Sequence, residues 1–144
     1  MLLIVLTAAC QREDVGSLRS QFIEHQDTYQ RLLTMFEEDS RLVRIAPDFT
    51  RLVDDRSWPR DDVGISLARW QEYRALFRAA GIPAGVERQD QKVFFYVSGA
   101  GLSVSGSTRG FVHAKNPSSK VNPNGEGIVY VPIRGDWYLF EWTF

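Results

Sequence analysis

The chain has 144 residues, enough for one domain, and its 44% hydrophobic and 24% charged residues are typical of a globular protein. Its 17 basic and 18 acidic residues give a formal net charge of −1, without the basic excess of nucleic-acid-binding proteins, so we expect no nucleic-acid partner. The single cysteine excludes a disulfide within the chain.

The first ten residues, MLLIVLTAAC, combine an apolar run, two small residues and the cysteine. The run is too short to cross a bilayer, which needs about 20 apolar residues, and its pattern is typical of an export signal. Small residues before a cysteine resemble the lipobox of bacterial lipoproteins, although Thr7 occupies a position where that family usually has Leu. The resemblance implies that 1–9 is the remnant of a signal peptide and that Cys10 is lipidated. The alternative is an ordinary buried N-terminal segment.

The residue after the cysteine bears on location, because in some bacterial lipoproteins an Asp there retains the protein in the inner membrane. This chain has Gln11 instead. By that resemblance we expect a lipid-anchored protein on the periplasmic face of the outer membrane. If the first ten residues are not a signal, we expect a cytoplasmic protein.

Residues 13–46 carry apolar side chains in steps of three and four, which predicts one long helix ending before Pro47. Its seam consists of Val15, Leu18, Phe22, His25, Tyr29, Leu32 and Phe36. Two interpretations stay open: the seam docks on the sheet of the same chain, or two copies associate as a coiled coil. We take 10–46 as an N-terminal helix or stalk.

Residues 47–65 form a predicted connector containing the acidic stretch DDRSWPRDD. Its carboxylates are Asp54, Asp55, Asp61 and Asp62. A calcium loop spaces its oxygen ligands at alternating positions with a glycine at the turn, and this stretch has neither. We therefore predict a solvated loop with local ion pairs and no metal site.

The stretch SLARWQEYRALFRAA predicts a second helix over 66–80. Ser66 is a favourable N-cap, and Gly81 followed by Pro83 ends the helix. One face is apolar and carries Leu67, Trp70, Tyr73, Leu76 and Phe77.

From residue 92 onward the apolar period changes to two, which predicts strands. The runs are KVFFYVS, GLSVSG, GFVHA, GIVYVPI and WYLFEWTF, with RGD at 134–136 as the turn before the last one. The fold class is therefore α+β: a long N-terminal helix and a second helix packed on a four- to five-stranded antiparallel sheet. We assign 66–144 to this helix-and-sheet domain.

The last strand has two unlike faces. One is aromatic and carries Tyr138, Phe140, Trp142 and Phe144, which we predict to form the wall of the helix–sheet core. The other carries Trp137, Leu139, Glu141 and Thr143, which we predict to be solvated. An exposed Trp137 would be a candidate contact with a partner.

Candidate chemistry is sparse. The two histidines, His25 and His113, have no ligand-type neighbours at zinc-binding spacing, so we expect neither a metal nor a cofactor. No serine sits in a nucleophile elbow, and a triad around His113 could assemble only in space. A cluster of hydroxyl and guanidinium groups at 105–109 suits a sugar or a phosphate oxyanion: Ser105, Ser107, Thr108 and Arg109. A plain solvated turn is the alternative.

Three segments, ISLARWQEYRALFRAAGI, GSTRGFVHA and WYLF, resemble a group of small bacterial lipoproteins over 65–144. That group has no assigned activity, so the resemblance implies no catalytic residue. We expect a lipid-anchored periplasmic binding or structural module of the cell envelope, with an envelope protein or a glycan as partner. The alternatives are an envelope enzyme with a site around His113, and an inhibitor or adaptor of an envelope enzyme that uses the loop 115–127.

Overall fold

The computed structural model describes residues 15–54, 63–98 and 106–144, which form three helices and one eight-stranded antiparallel sheet. The helices are α1 (Val15–Glu24), α2 (Gln26–Glu38) and α3 (Leu67–Ala80). The strands are β1 (Leu42–Ile45), β2 (Thr50–Leu52), β3 (Val86–Gln89), β4 (Lys92–Ser98), β5 (Ser107–His113), β6 (Lys120–Val121), β7 (Gly127–Arg134) and β8 (Trp137–Thr143). They are ordered β2-β1-β3-β4-β5-β8-β7-β6 across the sheet. The α+β class is confirmed, but the predicted four- to five-stranded sheet is too small.

The segment predicted as one helix over 13–46 is two helices followed by a strand. The break between α1 and α2 lies at His25 (φ −113°, ψ 20°), although helical hydrogen bonds continue on both sides of it. The helical prediction is wrong beyond Glu38, where the chain turns into β1. A bulge between Leu42 and Arg44 buries both Leu42 and Ile45, so their spacing imitates a helical period.

The seam of α1 and α2 packs on the sheet of the same chain. The Phe22 ring lies 5.4 Å from Phe111 and 5.1 Å from Trp137, and the Tyr29 ring lies 4.9 Å from Phe111. Such aromatic pairs contribute about 0.5–1.5 kcal/mol each beyond the area they bury. One buried cluster therefore contains residues of α1, α3 and β8. It joins residues on both sides of position 46, where we predicted the N-terminal helix to end.

Helix α3 begins and ends as its sequence predicts. The Ser66 hydroxyl accepts a hydrogen bond from the Arg69 amide at 3.1 Å, and Gly81 ends the helix at φ 68°. The connection to α2 was not evident from the sequence. Arg69 bonds Asp39 through Nε at 2.9 Å, and the Tyr73 hydroxyl donates to the same carboxylate at 2.7 Å. These bonds hold the end of α2 against α3.

The predicted faces of β8 are reversed. Trp137 and Leu139 are 6% and 3% exposed and belong to the cluster beneath the helices. Tyr138, Phe140 and Trp142 lie on the opposite face, so they are not the wall of the helix–sheet core. Both faces of β8 are apolar enough to be buried, and a period of two does not say which face the helices cover.

A second apolar cluster lies on the sheet face away from the helices. Its buried members are Phe94, Tyr96, Val112, Ala114 and Phe140, and no helical residue belongs to it. Residues of β3 and β4 line one groove together with residues of β6 and β7, although two strands separate β4 from β7 in the sheet order and four separate β3 from β6. The sheet therefore curls toward this face, which we call the concave face, and the curling buries the cluster.

The remaining predictions concern the segments that connect the helices and strands. The RGD turn is confirmed: Arg134 pairs with Trp137, and Gly135 between them has φ 54°. The predicted connector 47–65 contains β2, and its Asp55, Asp61 and Asp62 lie outside the described residues, as does most of the predicted strand GLSVSG. Within the described ranges, no helix has the length and apolar character to cross a membrane.

Candidate functional site

The residues proposed for oxyanion binding do not form one cluster in the described part of the chain. Ser105 lies outside it, as does Cys10, the predicted lipidation site, and Ser107 is exposed at the start of β5. Thr108 is 5% exposed and Arg109 is its neighbour in the strand, so their side chains point to opposite faces of the sheet. Whether any of these residues binds a ligand stays a prediction.

The side chains of Thr108 and Arg109 already form hydrogen bonds with other residues of the chain. The Thr108 hydroxyl donates to the Ser98 carbonyl at 2.7 Å, across a bulge between β4 and β5. Arg109 Nη2 donates to Glu141 Oε1 at 3.2 Å on the neighbouring strand β8. The first hydrogen bond joins β5 to β4, and the second joins β5 to β8.

Trp137 is buried, which overturns the exposure on which its nomination as a contact depended. Its ring centroid lies 5.1 Å from Phe22, 5.2 Å from Phe95 and 5.1 Å from His113. Those neighbours come from α1, β4 and β5, so Trp137 fills the space between the helices and the sheet.

A polar cavity of about 540 Å³ adjoins His113, where the alternative enzyme site was expected. Its described lining comprises Glu37, Asp90, Gln91, Lys92, His113, Ala114 and Lys115. Within the described ranges no hydroxyl side chain lines this cavity, and no side-chain hydrogen bond joins His113 to a carboxylate. The histidine ring instead rests edge-on against Trp137. A nucleophile–base–carboxylate arrangement is therefore not assembled among these residues.

The concave face holds a groove of about 280 Å³, which we call the concave groove. Its described lining comprises Gln89, Asp90, Lys92, Phe94, Lys120, Gly127, Ile128, Tyr130 and Trp142. The buried ring of Phe94 and the half-buried rings of Tyr130 and Trp142 supply the apolar part, and the polar groups include two lysines and one aspartate. Neither lysine has an ion pair among the described residues, so the groove has a positive excess.

Cross-strand pairing places the rings of this groove. Lys120 on β6 pairs with Ile128 on β7, which pairs with Trp142 on β8, and these side chains share the concave face. Tyr130 pairs with Phe140 one step along the same strands. Because neighbouring strands hold each residue in register, the sheet sets the backbone positions from which the rings project, which reduces the entropy cost of binding.

A buried carboxylate, Glu87, lies on the same face at the other side of the sheet. Its oxygens lie 2.7 Å from Arg51 Nη2 and 3.5 Å from Arg44 Nη1, and the Tyr96 hydroxyl donates to it at 2.7 Å. Burial and the adjacent Glu87 charge raise the pKa of Tyr96, so its hydroxyl stays protonated and donates.

Arg44 connects this charged group to the aromatic cluster. Its guanidinium lies over the rings of Phe49 and Tyr96, 5.1 and 5.0 Å from their centroids, while its Nε is buried without a hydrogen-bond partner. Sequence reasoning missed Arg44, Glu87 and Tyr96, since their strands were either unassigned or read for apolar pattern alone. The alternation in LVRI and VERQ was the available signal.

The loop at 115–127, expected as a plug in the adaptor alternative, is held by its own hydrogen bonds. The Asn122 side chain accepts from the amides of Asn124 and Glu126 at 3.0 and 2.9 Å. The amide of Tyr130 on β7 donates to the Ser119 hydroxyl at 2.9 Å. The loop thus carries β6 and one wall of the concave groove, while its use as an inhibitor stays a prediction.

The concave groove offers groups suited to ligand binding. It has aromatic faces, amine and amide donors and one carboxylate, with no activated nucleophile among the described residues that line it. Within the described ranges, no group of three or more histidine, cysteine or acidic side chains could hold a metal ion.

Comparison with known proteins found no match. No protein-family model matches it, and no curated protein and no solved structure is similar enough to count as a match. The likeness to small bacterial lipoproteins inferred from the sequence therefore stays a prediction.

Proposed function

We propose that this protein is a lipid-anchored binding module of the bacterial cell envelope that holds a glycan in the concave groove. The observation that carries the proposal is a set of aromatic rings, Phe94, Tyr130 and Trp142, on a sheet face to which no described helix contributes. Cys10 would take the lipid, and Gln11 favours the periplasmic face of the outer membrane. The apolar run before Cys10 supports this location.

The groove suits a sugar because its two kinds of lining match the two surfaces of a pyranose ring. The C–H groups of the sugar face pack on an aromatic ring such as Trp142 or Tyr130. The hydroxyls around the sugar edge need donors and acceptors, which Gln89, Asp90 and Lys92 provide at the rim. At about 280 Å³ the groove lies near the lower end of small-ligand sites and would take about one or two rings of a longer chain.

A titration with soluble envelope-type sugars tests the site. The probes are chitotetraose and oligosaccharides released from bacterial cell wall and lipopolysaccharide, followed by NMR shifts of indole N–H groups. We expect saturable binding in the micromolar to millimolar range by at least one probe, with the largest shift at Trp142. The absence of saturable binding by every probe would overturn the glycan proposal.

Two variants on the same strand and face separate contact from packing. Trp142→Ala removes a ring that lines the groove, and we expect at least a tenfold loss of affinity. Tyr138→Ala is the matched control, because Tyr138 packs on the same cluster but does not line the groove. Equal losses of affinity in the two variants would mean that the ring of Trp142 is not a contact.

The lipid anchor needs a separate measurement. The full gene is expressed in bacteria supplied with labelled palmitate, and the mature N-terminus is weighed by mass spectrometry. We expect acylation at Cys10 that disappears in Cys10→Ser. A protein that keeps Met1 and carries no label would overturn the envelope location without affecting the glycan titration.

A further inference from the structure

A second groove lies on the helix side of the molecule, where the end of α3 meets the residues that follow β1. Its volume is about 400 Å³, and most of its surface is apolar. Pro47 and Pro83 form its walls, while the buried side chains of Phe77 and Ile82 close its floor. Phe77 and Ile82 belong to the cluster under the helices, so this groove is separate from the concave groove.

Arg74 stands at this groove in a fixed orientation. Its Nε donates to the Pro47 carbonyl at 2.6 Å, and its guanidinium lies over the Trp70 ring at 4.1 Å from the centroid. The hydrogen bond to Pro47 and the stacking on Trp70 hold the Arg74 guanidinium in place. The two Nη nitrogens have no acceptor among the described residues and remain available as a pair of donors.

Arg78 adds a second guanidinium one helical turn further along α3. It is exposed, lines the same groove and has no hydrogen bond or ion pair among the described residues. Residues four apart on a helix are neighbours, and like charges in that position repel each other. Its place in the last turn of α3 favours a cation, but that does not account for Arg74.

We propose that this groove binds a single-chain fatty carboxylate. The carboxylate accepts hydrogen bonds from Arg74 and Arg78, since a guanidinium matches the geometry of two carboxylate oxygens. The acyl chain lies between Pro47 and Pro83, above the floor that Phe77 and Ile82 close. An apolar groove with two uncompensated cations at its rim complements a ligand that has one charged end and an apolar body. The volume falls within the range of small-molecule sites.

Binding of decanoate below its micellar concentration tests this proposal, by calorimetry and by NMR shifts of residues 74–83 in the full chain. We expect saturable binding of decanoate, at least tenfold weaker binding of decanol, and none of decyltrimethylammonium. Inorganic phosphate at the same concentration should not compete. Equal affinity for decanol would overturn the role of the arginines, and equal affinity for phosphate would overturn the role of the apolar walls.

Two substitutions at exposed positions probe the site: Arg78→Gln removes a charge at the rim, and Pro83→Glu replaces part of the apolar wall with a carboxylate. Arg78→Gln should weaken decanoate at least fivefold, and Pro83→Glu should abolish binding because its carboxylate competes for the arginines. Lys115→Gln removes one positive charge elsewhere on the surface and should leave the affinity unchanged. Melting temperatures confirm that each variant is folded. A loss in Lys115→Gln equal to that in Arg78→Gln, or no saturable binding of decanoate, would overturn the proposal.

The fatty carboxylate and the glycan are distinguishable by site. Decanoate should shift residues on α3 and leave the Trp142 indole unmoved, and chitotetraose should do the reverse. Failure of either ligand therefore leaves the result for the other intact.

Discussion

At the scale of single residues, Glu87 carries a charge where its side chain is only 8% exposed. It is compensated by Arg51 and Arg44, whose side chains are 42% and 23% exposed, and by the Tyr96 hydroxyl. A buried charge that loses its partners is costly, whereas partly exposed arginines can turn to water. The group therefore holds β1, β2 and β3 together at one side of the concave face.

The first prediction concerns this carboxylate. Glu87→Gln keeps the shape but removes the charge between two arginines, and we expect it to lower the free energy of unfolding by about 1–3 kcal/mol. Glu24→Gln, at an exposed position on α1, should change it by less than about 0.5 kcal/mol. Urea unfolding of both variants provides the measurement. Equal midpoints for Glu87→Gln and the wild type would show that the ion pairs contribute nothing to stability.

The second prediction concerns Asp90, in the two-residue turn between β3 and β4. It has φ 54°, a left-handed conformation that disfavours most side chains and costs glycine nothing. Asp90→Gly should therefore raise the free energy of unfolding by about 0.5–1 kcal/mol, while Asp90→Ala should lower it. Asp90 also lines the concave groove, so a stabilised Asp90→Gly that binds sugar more weakly would show strain maintained at a binding site. Thermal and urea unfolding of both variants show whether the free energy of unfolding rises or falls.

At the scale of elements, β4 and β5 approach each other closely at Gly110. A Cβ there would lie 1.9 Å from the Phe95 carbonyl oxygen. On the concave face, the rings of Tyr96 and Phe140, which flank Gly110 in the register, meet at 5.7 Å between centroids. The absence of a side chain lets the rings of two non-adjacent strands touch, which continues the second cluster across the sheet.

The third prediction follows from that approach. Gly110→Ala must push β4 and β5 apart, and we expect it to lower the free energy of unfolding by about 3 kcal/mol or more. Gly125→Ala is the matched control: its φ of 83° disfavours alanine, but no atom lies within 4 Å of the new Cβ. That change should cost about 1 kcal/mol. Equal urea midpoints for the two variants would contradict the steric account.

The helices show how far a local pattern determines an element. Helix α3 could be predicted closely, because Ser66 and Gly81 mark its ends and both act through bonds within a few residues. The segment after Glu38 could not be predicted, since a bulge in β1 gives its buried residues a helical spacing. Strands β2 and β6, of three and two residues, are too short to carry a period of their own.

At the scale of the whole molecule, three buried tyrosines bond to partners on other elements. Tyr29 donates to the Ala80 carbonyl and Tyr73 to Asp39, each at 2.7 Å, and Tyr96 donates to Glu87. Burial is the largest cause that raises the pKa of each hydroxyl above its ordinary value near 10. All three therefore stay protonated in the folded protein at pH values where an unfolded chain ionises.

The fourth prediction is a loss of stability in alkali. Above about pH 10 the unfolded state releases these protons and the folded state keeps them, so the free energy of unfolding falls as the pH rises. The stability that the protonated tyrosines contribute is complete below the unfolded pKa and is lost above it. Urea midpoints between pH 8 and 11 measure the slope. Tyr29→Phe removes one of the three hydroxyls, so the free energy of unfolding should fall less steeply with pH in this variant. An unchanged slope would show that Tyr29 ionises normally.

The two candidate sites differ in how far apart their residues lie in the sequence. The hydroxyl and guanidinium cluster at 105–109 was visible in the sequence because its members are adjacent, yet the sheet turns Thr108 and Arg109 to opposite faces. The concave groove was invisible because Lys92, Lys120 and Trp142 are far apart in the chain. Curling of an eight-stranded sheet brings them together, and no local pattern encodes that curvature.

The sequence by itself determined the class of the fold, the ends of α3, the strand β4 and the turn at Gly135, because caps, turns and alternation act over a few residues. Only the tertiary structure decided which face of β8 lies beneath the helices. Tyr138 and Trp137 are both aromatic, so burial energy alone favours neither face. The positions of α1 and α2 on the sheet settle the choice: Phe22 of α1 and Tyr29 of α2 pack on Trp137, and the other rings of β8 lie on the concave face.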